Sequence, residues 1–229
     1  MKHILIAITI ILLSTAMETQ ARTPGRMPGP SWGVHIGPSF PLGNFGSMGL
    51  DDEQAGYAST GLHATLETVK PLDYISLGSD ILFISATGSL SFLANPSRKA
   101  EQERQRYDAA VERSDWWVML NPAAGFRFSY ADGPGWRVYT TLQGGALIGR
   151  YPVTRLSSED WSFTPEWGPA VGASLALTAG AGVIVEDFEL NLSYLTGAPT
   201  YKPPSNVLPQ VIVLEKPVHV LTIGFAYWF

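Results

Sequence analysis

The chain contains no cysteine. Disulfide staples, thiolate catalysis and cysteine metal sites are therefore excluded. Charge is also scarce. Charged residues make up 15 % of the 229 positions, well below the roughly 25 % of an ordinary soluble domain. What charge there is sums to −5, which argues against nucleic-acid binding, since that needs a basic face. Beyond residue 16 no long apolar run exists, so the rest of the chain has no segment of the ~20 apolar residues that a spanning helix takes. Only 4 histidines are present and they are scattered, which argues against a histidine metal centre.

Apolar and aromatic residues are nonetheless plentiful, at 45 % and 11 %, with 23 Gly and 17 Pro. Dispersed apolar residues are what strands between two environments produce. The one continuous apolar stretch, Ile4 to Leu13, follows a short basic start at Met1-Lys2-His3. It reads as an export signal, too short to span a bilayer as a helix. Ala16 and Ala21 both end small-x-Ala cleavage sites, and the choice between them stays open. No Cys follows the apolar stretch, so lipoprotein anchoring is excluded. Residues 1–21 are thus expected to be a signal peptide and 22–229 a single domain, with a Pro/Gly-rich lead-in at 22–31.

Period-two alternation then marks eight strands, over about 32–40, 56–69, 74–85, 116–130, 136–149, 170–185, 188–196 and 218–229. One face carries bulk: Val34 and Ile36, Leu62 and Leu66, Phe126 and Phe128, Val138 and Leu142, Leu190 and Leu192, Leu221, Ile223 and Phe225. The opposite face is mostly Gly, Ser, Thr and Asn with a few charges. Connections alternate in length. Lys70–Asp73, Ala131–Gly135 and Glu186–Asp187 read as tight turns; 41–55, 86–115, 150–169 and 197–217 read as long loops. Short periplasmic turns and longer outside loops are the pattern of a spanning barrel. The stretch 95–115, rich in Ala, Glu, Gln and Arg, is expected to be a short surface helix or a loop.

In lipid only helices and closed barrels satisfy their backbone, and the spanning helix is excluded. The bulky face therefore turns to hydrocarbon and the small polar face fills a narrow lumen. The expected fold is all-β, an eight-stranded antiparallel up-and-down transmembrane β-barrel. Trp116, Trp117, Tyr130, Trp136, Tyr227, Trp228 and Phe229 stand at strand ends, where interfacial girdles need aromatics.

The last eight residues, Thr222 to Phe229, resemble the terminal insertion signal of outer-membrane proteins, with Thr222, Gly224, Tyr227 and Phe229 at its polar, glycine and aromatic positions. The opening Gly33-Val34-His35-Ile36-Gly37-Pro38-Ser39-Phe40 and the following Pro41-Leu42-Gly43-Asn44-Phe45 are similar to the first strand and loop of the small outer-membrane β-barrel family of Gram-negative bacteria. The resemblance covers about residues 31–229. It implies outer-membrane localisation, contact with outer-membrane lipid and lipopolysaccharide, recognition by the barrel assembly machinery, a monomer, and no attached peptidoglycan-binding domain.

Alternation also turns Glu67, Arg127, Arg137 and Glu189 inward beside tight turns. Charges confined together should pair, so a salt-bridged plug near the periplasmic mouth is expected, with Asp80, His35 and His63 in a second layer. Either the charges only satisfy one another, or their rearrangement opens a gate. The alternative, an outer-membrane enzyme acting on lipid A through a His–Ser pair, is not expected, since none of His35, His63 and His219 has a Ser two residues away on its own strand face. No cofactor is expected. Asp51-Asp52-Glu53 is an acidic run that holds Ca²⁺ loosely or is simply solvated. Adhesion through the long loops remains a further role that the sequence does not address.

Overall fold

A computed structural model of the chain describes residues 31–48, 55–77, 80–99, 101, 110–132, 136–157, 164, 166–204 and 213–229. The expected signal segment and the Asp51-Asp52-Glu53 run lie outside the described residues. The elements are β1 (Ser31–Pro41), α1 (Gly43–Gly46), β2 (Gly61–Leu77), β3 (Asp80–Pro96), β4 (Ala110–Ser114), β5 (Trp116–Asp132), β6 (Trp136–Tyr151), β7 (Thr154–Ser157), β8 (Glu166–Trp167), β9 (Ala170–Val185), β10 (Phe188–Gly197), β11 (Thr200–Tyr201), β12 (Leu214–Glu215) and β13 (Val218–Trp228).

Eight of these strands form one closed antiparallel circuit: β1, β2, β3, β5, β6, β9, β10 and β13, with β13 returning to β1. Starting at Gly33 and stepping from partner to partner leads through Glu67, Ser89, Ala123, Gly145, Ala176, Gly197 and Val218. Val218 lies two residues before Val220, whose β1 partner is Pro41, so the circuit returns opposite position 43 instead of 33. That stagger is what closing a sheet of tilted strands requires. The seam is finished by Trp32 and Phe229, which exchange backbone hydrogen bonds of 3.0 and 2.9 Å.

The alternation sets the two faces. Ile36, Leu62, Phe126, Leu142, Leu177, Leu190 and Phe225 are exposed on the outside, Phe225 by 62 %, and their neighbours His35, His63, Arg127, Gln143, Glu189 and Thr222 are buried. An outer wall of bare Leu, Ile and Phe around buried ions is the wall of a membrane barrel. Spanning barrels of this kind belong to outer membranes.

Two expected boundaries are corrected. Lys70–Asp73 is not a turn. β2 runs on to Leu77, and its register on β3 shifts between Pro71 and Asp73. A proline that cannot donate to the ladder is tolerated at such a bulge. The stretch 86–96 is not loop but the second half of β3. Its small residues hid the strand: Ala86 and Gly88 face out, while Ser85, Thr87, Ser89 and Ser91 face the lumen. Of the stretch 95–115, expected as a short surface helix or a loop, positions 95–96 end β3, Lys99 and Glu101 are helical and 110–114 are β4; most of the other positions between are outside the described residues.

The long connections gather at one end of the barrel and the short ones at the other. At the loop end β4, β7 and β8 form a separate small sheet, and β11 with β12 extends the wall beside β9.

Candidate functional site: an ion cluster beneath an apolar plug

Three layers fill the lumen. Nearest the turns is an apolar floor of Val69, Tyr139, Ile184 and Trp228. Above it lies the ion cluster. Arg127 Nη2 donates to Glu67 Oε2 at 2.8 Å, and Arg127 Nη1 lies 3.6 Å from Glu189 Oε2. His35 joins both carboxylates, with Nε2 3.1 Å from Glu67 and Nδ1 3.4 Å from Glu189. These four side chains come from β1, β2, β5 and β10.

The remaining carboxylate valences are filled from other strands. Thr87 Oγ1 donates to Glu67 at 2.6 Å, and Gln143 Nε2 donates to Thr87 at 3.0 Å. Glu189 accepts from the Tyr139 hydroxyl, from Trp228 Nε1 at 2.7 Å and from Asn191 Nδ2 at 3.1 Å. The Arg127 guanidinium lies over the Tyr139 ring at 3.8 Å and the Trp228 ring at 4.9 Å. Buried charge is tolerable only when paired and hydrogen-bonded in this way. The cluster holds two carboxylates, one guanidinium and one imidazole.

A polar cavity of about 40 Å³ opens over the cluster, lined in part by His63, Thr65, Ser91, Gln143 and Ser193. That is room for roughly three waters. The buried Arg127 Nε and Asn191 Oδ1 have no hydrogen-bond partner among the described residues, and waters in the cavity are their natural partners.

The third layer, at the loop end, is an apolar plug. Leu93, Trp117, Met119, Leu147, Leu195 and Val220 point inward from the strands, and Phe45, Tyr151 and Tyr201 reach them from the strand ends and connections. Trp117 is its centre. Its ring meets Phe45, Tyr151 and Tyr201 at 5.1–5.7 Å, and its indole donates to the Gly56 carbonyl at 2.8 Å. Tyr201 fits only because Gly149 and Gly172, facing each other on β6 and β9, have no side chain; a Cβ on either would strike its ring or hydroxyl.

The expected site residues fall as follows. Glu67, Arg127 and Glu189 are brought together. Arg137 stands on β6 two residues nearer the turn than Tyr139, whose hydroxyl meets Glu189. His35 belongs to the ion cluster itself and not to a layer above it. His63 does sit above, at the cavity, with Nδ1 3.3 Å from the Pro38 carbonyl. Asp80 starts β3 at the turn end, its backbone opposite Asp132, and its side chain is outside the described residues. Trp117 and Trp228 are not girdle aromatics but buried lumen residues, whereas Trp116, Trp136, Tyr227 and Phe229 are exposed on the wall. Of the terminal pattern, Thr222 is buried and its hydroxyl lies 2.7 Å from that of Ser193, and Gly224 lies against the Asn191 side chain.

The plug was missed, though the sequence carried a sign of it. Trp116-Trp117-Val118-Met119-Leu120, Leu147-Ile148 and Val220-Leu221 are apolar without alternation. A wall with grease on both faces must enclose grease at that height.

His35, Glu67 and Glu189 offer ligand atoms within 4.8 Å of one another, close enough for a metal ion. Arg127 already holds the same Glu67 oxygen, and a dication there would face a guanidinium at contact distance. Addition of EDTA to the folded protein is therefore expected to leave its thermal unfolding midpoint unchanged; a drop would show that a metal shares the cluster.

No protein-family model matches the chain. No curated protein matches it either. Among solved structures it is similar in fold to Ail, the attachment invasion locus protein of Yersinia pestis. In complex with the heparin analogue sucrose octasulfate, Ail matches at a TM-score of 0.42 and 16 % identity, covering 88 % of this chain and 100 % of Ail. A second Ail structure matches at 0.38 over the same shares and identity. The outer membrane protein AlkL in DMPC bilayers matches at 0.30 and 12 % identity, covering 94 % of this chain and 97 % of AlkL. The closed register of this chain establishes its barrel independently of these likenesses.

Proposed function

We propose that this outer-membrane barrel is a sealed wall that holds its loop end at the cell surface, and that it is neither a diffusion pore nor an enzyme. The supporting observation is the plug. Trp117 is 1 % exposed and Tyr201 0 %, so the loop end of the lumen is packed like a protein interior. Eight strands leave space for little beyond side chains, and the ion cluster, its floor and the small polar cavity occupy the rest. A narrow porin-like role would need Trp117, Tyr151 and Tyr201 to leave together.

The loop end offers the working surface. Its small sheet is tied by Arg155 to Glu166, and Arg150 holds Asp115 at 2.9 Å beside it. Such a braced surface suits contact with a partner outside the cell. In the same reading Thr222, Gly224, Tyr227 and Phe229 present the β13 edge to the assembly machinery, the wall contacts lipid and lipopolysaccharide, and the protein acts as a monomer.

Planar-bilayer recording tests the claim. The folded chain is expected to insert without producing steady conductance steps in concentrated KCl. Regular ohmic steps from the wild-type protein would overturn the sealed-wall reading.

A further inference from the structure

We infer that His219, Tyr194 and Thr196 form a binding site for a lipid phosphate on the outer wall at the loop end; this rests on the outer-membrane reading above and gives that reading a specific lipid contact. The three side chains come from neighbouring strands. Thr196 on β10 is the cross-strand partner of His219 on β13. Its hydroxyl lies 3.1 Å from His219 Nδ1, and the Tyr194 hydroxyl lies 2.8 Å from the same nitrogen. The phenol and imidazole rings are nearly parallel, at 13°. Alternation puts all three outside, since the intervening Leu195, Val218 and Val220 are buried in the plug.

Their height matters. β10 ends at Gly197 and β13 begins at Val218, so the trio sits at the loop-end edge of the wall. The outward residues nearer the middle of the same strands, Leu190, Leu192 and Phe225, are hydrocarbons. A cluster of imidazole and two hydroxyls is costly in hydrocarbon and suited to the headgroup layer. The backbone holds it in place: Leu42 N–H donates to the His219 carbonyl at 2.8 Å, and Gly43, at φ +52°, lies beside the ring edge.

Hydrogen-bond arithmetic selects the ligand. A bare Nδ1 accepts from one hydroxyl and leaves the other hydroxyl and Nε2–H to donate; a protonated Nδ1 donates to one hydroxyl and leaves both hydroxyl protons to donate. Either tautomer leaves two donors without an acceptor inside the trio. Among the described residues no carboxylate bonds to any of the three. A site of spare donors at headgroup depth fits an anionic acceptor, and the phosphate ester of a lipid is the anion that depth supplies.

The test uses the folded full chain in octyl glucoside micelles, with NMR signals of the His219 ring as the readout. Dihexanoyl phosphatidic acid is expected to shift them saturably, and dihexanoylglycerol to leave them unmoved. The double variant Tyr194→Phe, Thr196→Val is expected to weaken the apparent affinity at least about tenfold, the worth of one hydrogen bond to a charged group. No shift, an equal shift with dihexanoylglycerol, or an unchanged affinity in the double variant would overturn the site. An equal affinity for inorganic phosphate would overturn its assignment to lipid. Loss of heat-modifiable gel mobility in the wild type would overturn the membrane reading itself, a failure separate from the others.

Discussion

Replacing Arg127 with alanine is expected to destabilise the folded barrel by about 3–5 kcal/mol, the loss typical when one partner of a buried ion pair is removed. The substitution leaves Glu67 and Glu189 facing each other across the lumen without the guanidinium between them. Glu67 loses its 2.8 Å partner, and Tyr139 and Trp228 lose the cation on their ring faces. The measurement is the urea midpoint of heat-modifiable mobility for wild type and variant. A triple variant, Arg127→Met with Glu67→Gln and Glu189→Gln, removes the charges together and is expected to recover most of the loss, because no ion is then left buried alone. A loss of under about 1 kcal/mol for Arg127→Ala, the range of exposed pairs, would mean that water reaches these charges and that the lumen is not sealed.

Trp117→Ala is the second large effect, about 3–5 kcal/mol, as for other fully buried large aromatics cut to alanine. Its ring touches Phe45, Tyr151 and Tyr201 at once, so its removal leaves a void that three separate segments line. Trp116→Ala provides the internal standard. The two tryptophans are consecutive and equal in size, but Trp116 is 46 % exposed on the wall and Trp117 is 1 % exposed. Trp116→Ala is expected to cost under half as much by the same urea midpoint. Equal losses would mean that the plug is not packed, and the sealed-wall proposal would lose its support.

The alternation made the barrel legible, because a strand in a closed sheet has only two sides and composition tells them apart. It also turned Glu67, Arg127 and Glu189 to one interior. It could not say which charges meet. Arg137 and Tyr139 share a face of β6, and their depth is set by strand stagger, which depends on pairing and not on sequence spacing. The turn read at Lys70–Asp73 failed for a local reason: Pro and Asp mark bulges as readily as turns. Trp117 and Trp228 were assigned to girdles because aromatics at strand ends fit an interface. Their side of the wall was already given by the period-two pattern, with Trp116 and Tyr227 outward beside them. The His219 trio was not visible from one strand, since Thr196 and His219 are brought together only by the β10–β13 register.

β13 completes the circuit against β1, and its Trp228 caps a carboxylate that His35 of β1 also faces. An open sheet would therefore present to the bilayer both a raw edge of peptide groups and a half-solvated set of ions. Neither is admissible in hydrocarbon. Unless a partner covers that edge, entry into the lipid and fastening of the seam must accordingly be a single step, and an unaided chain halted between the two has no resting place inside the membrane.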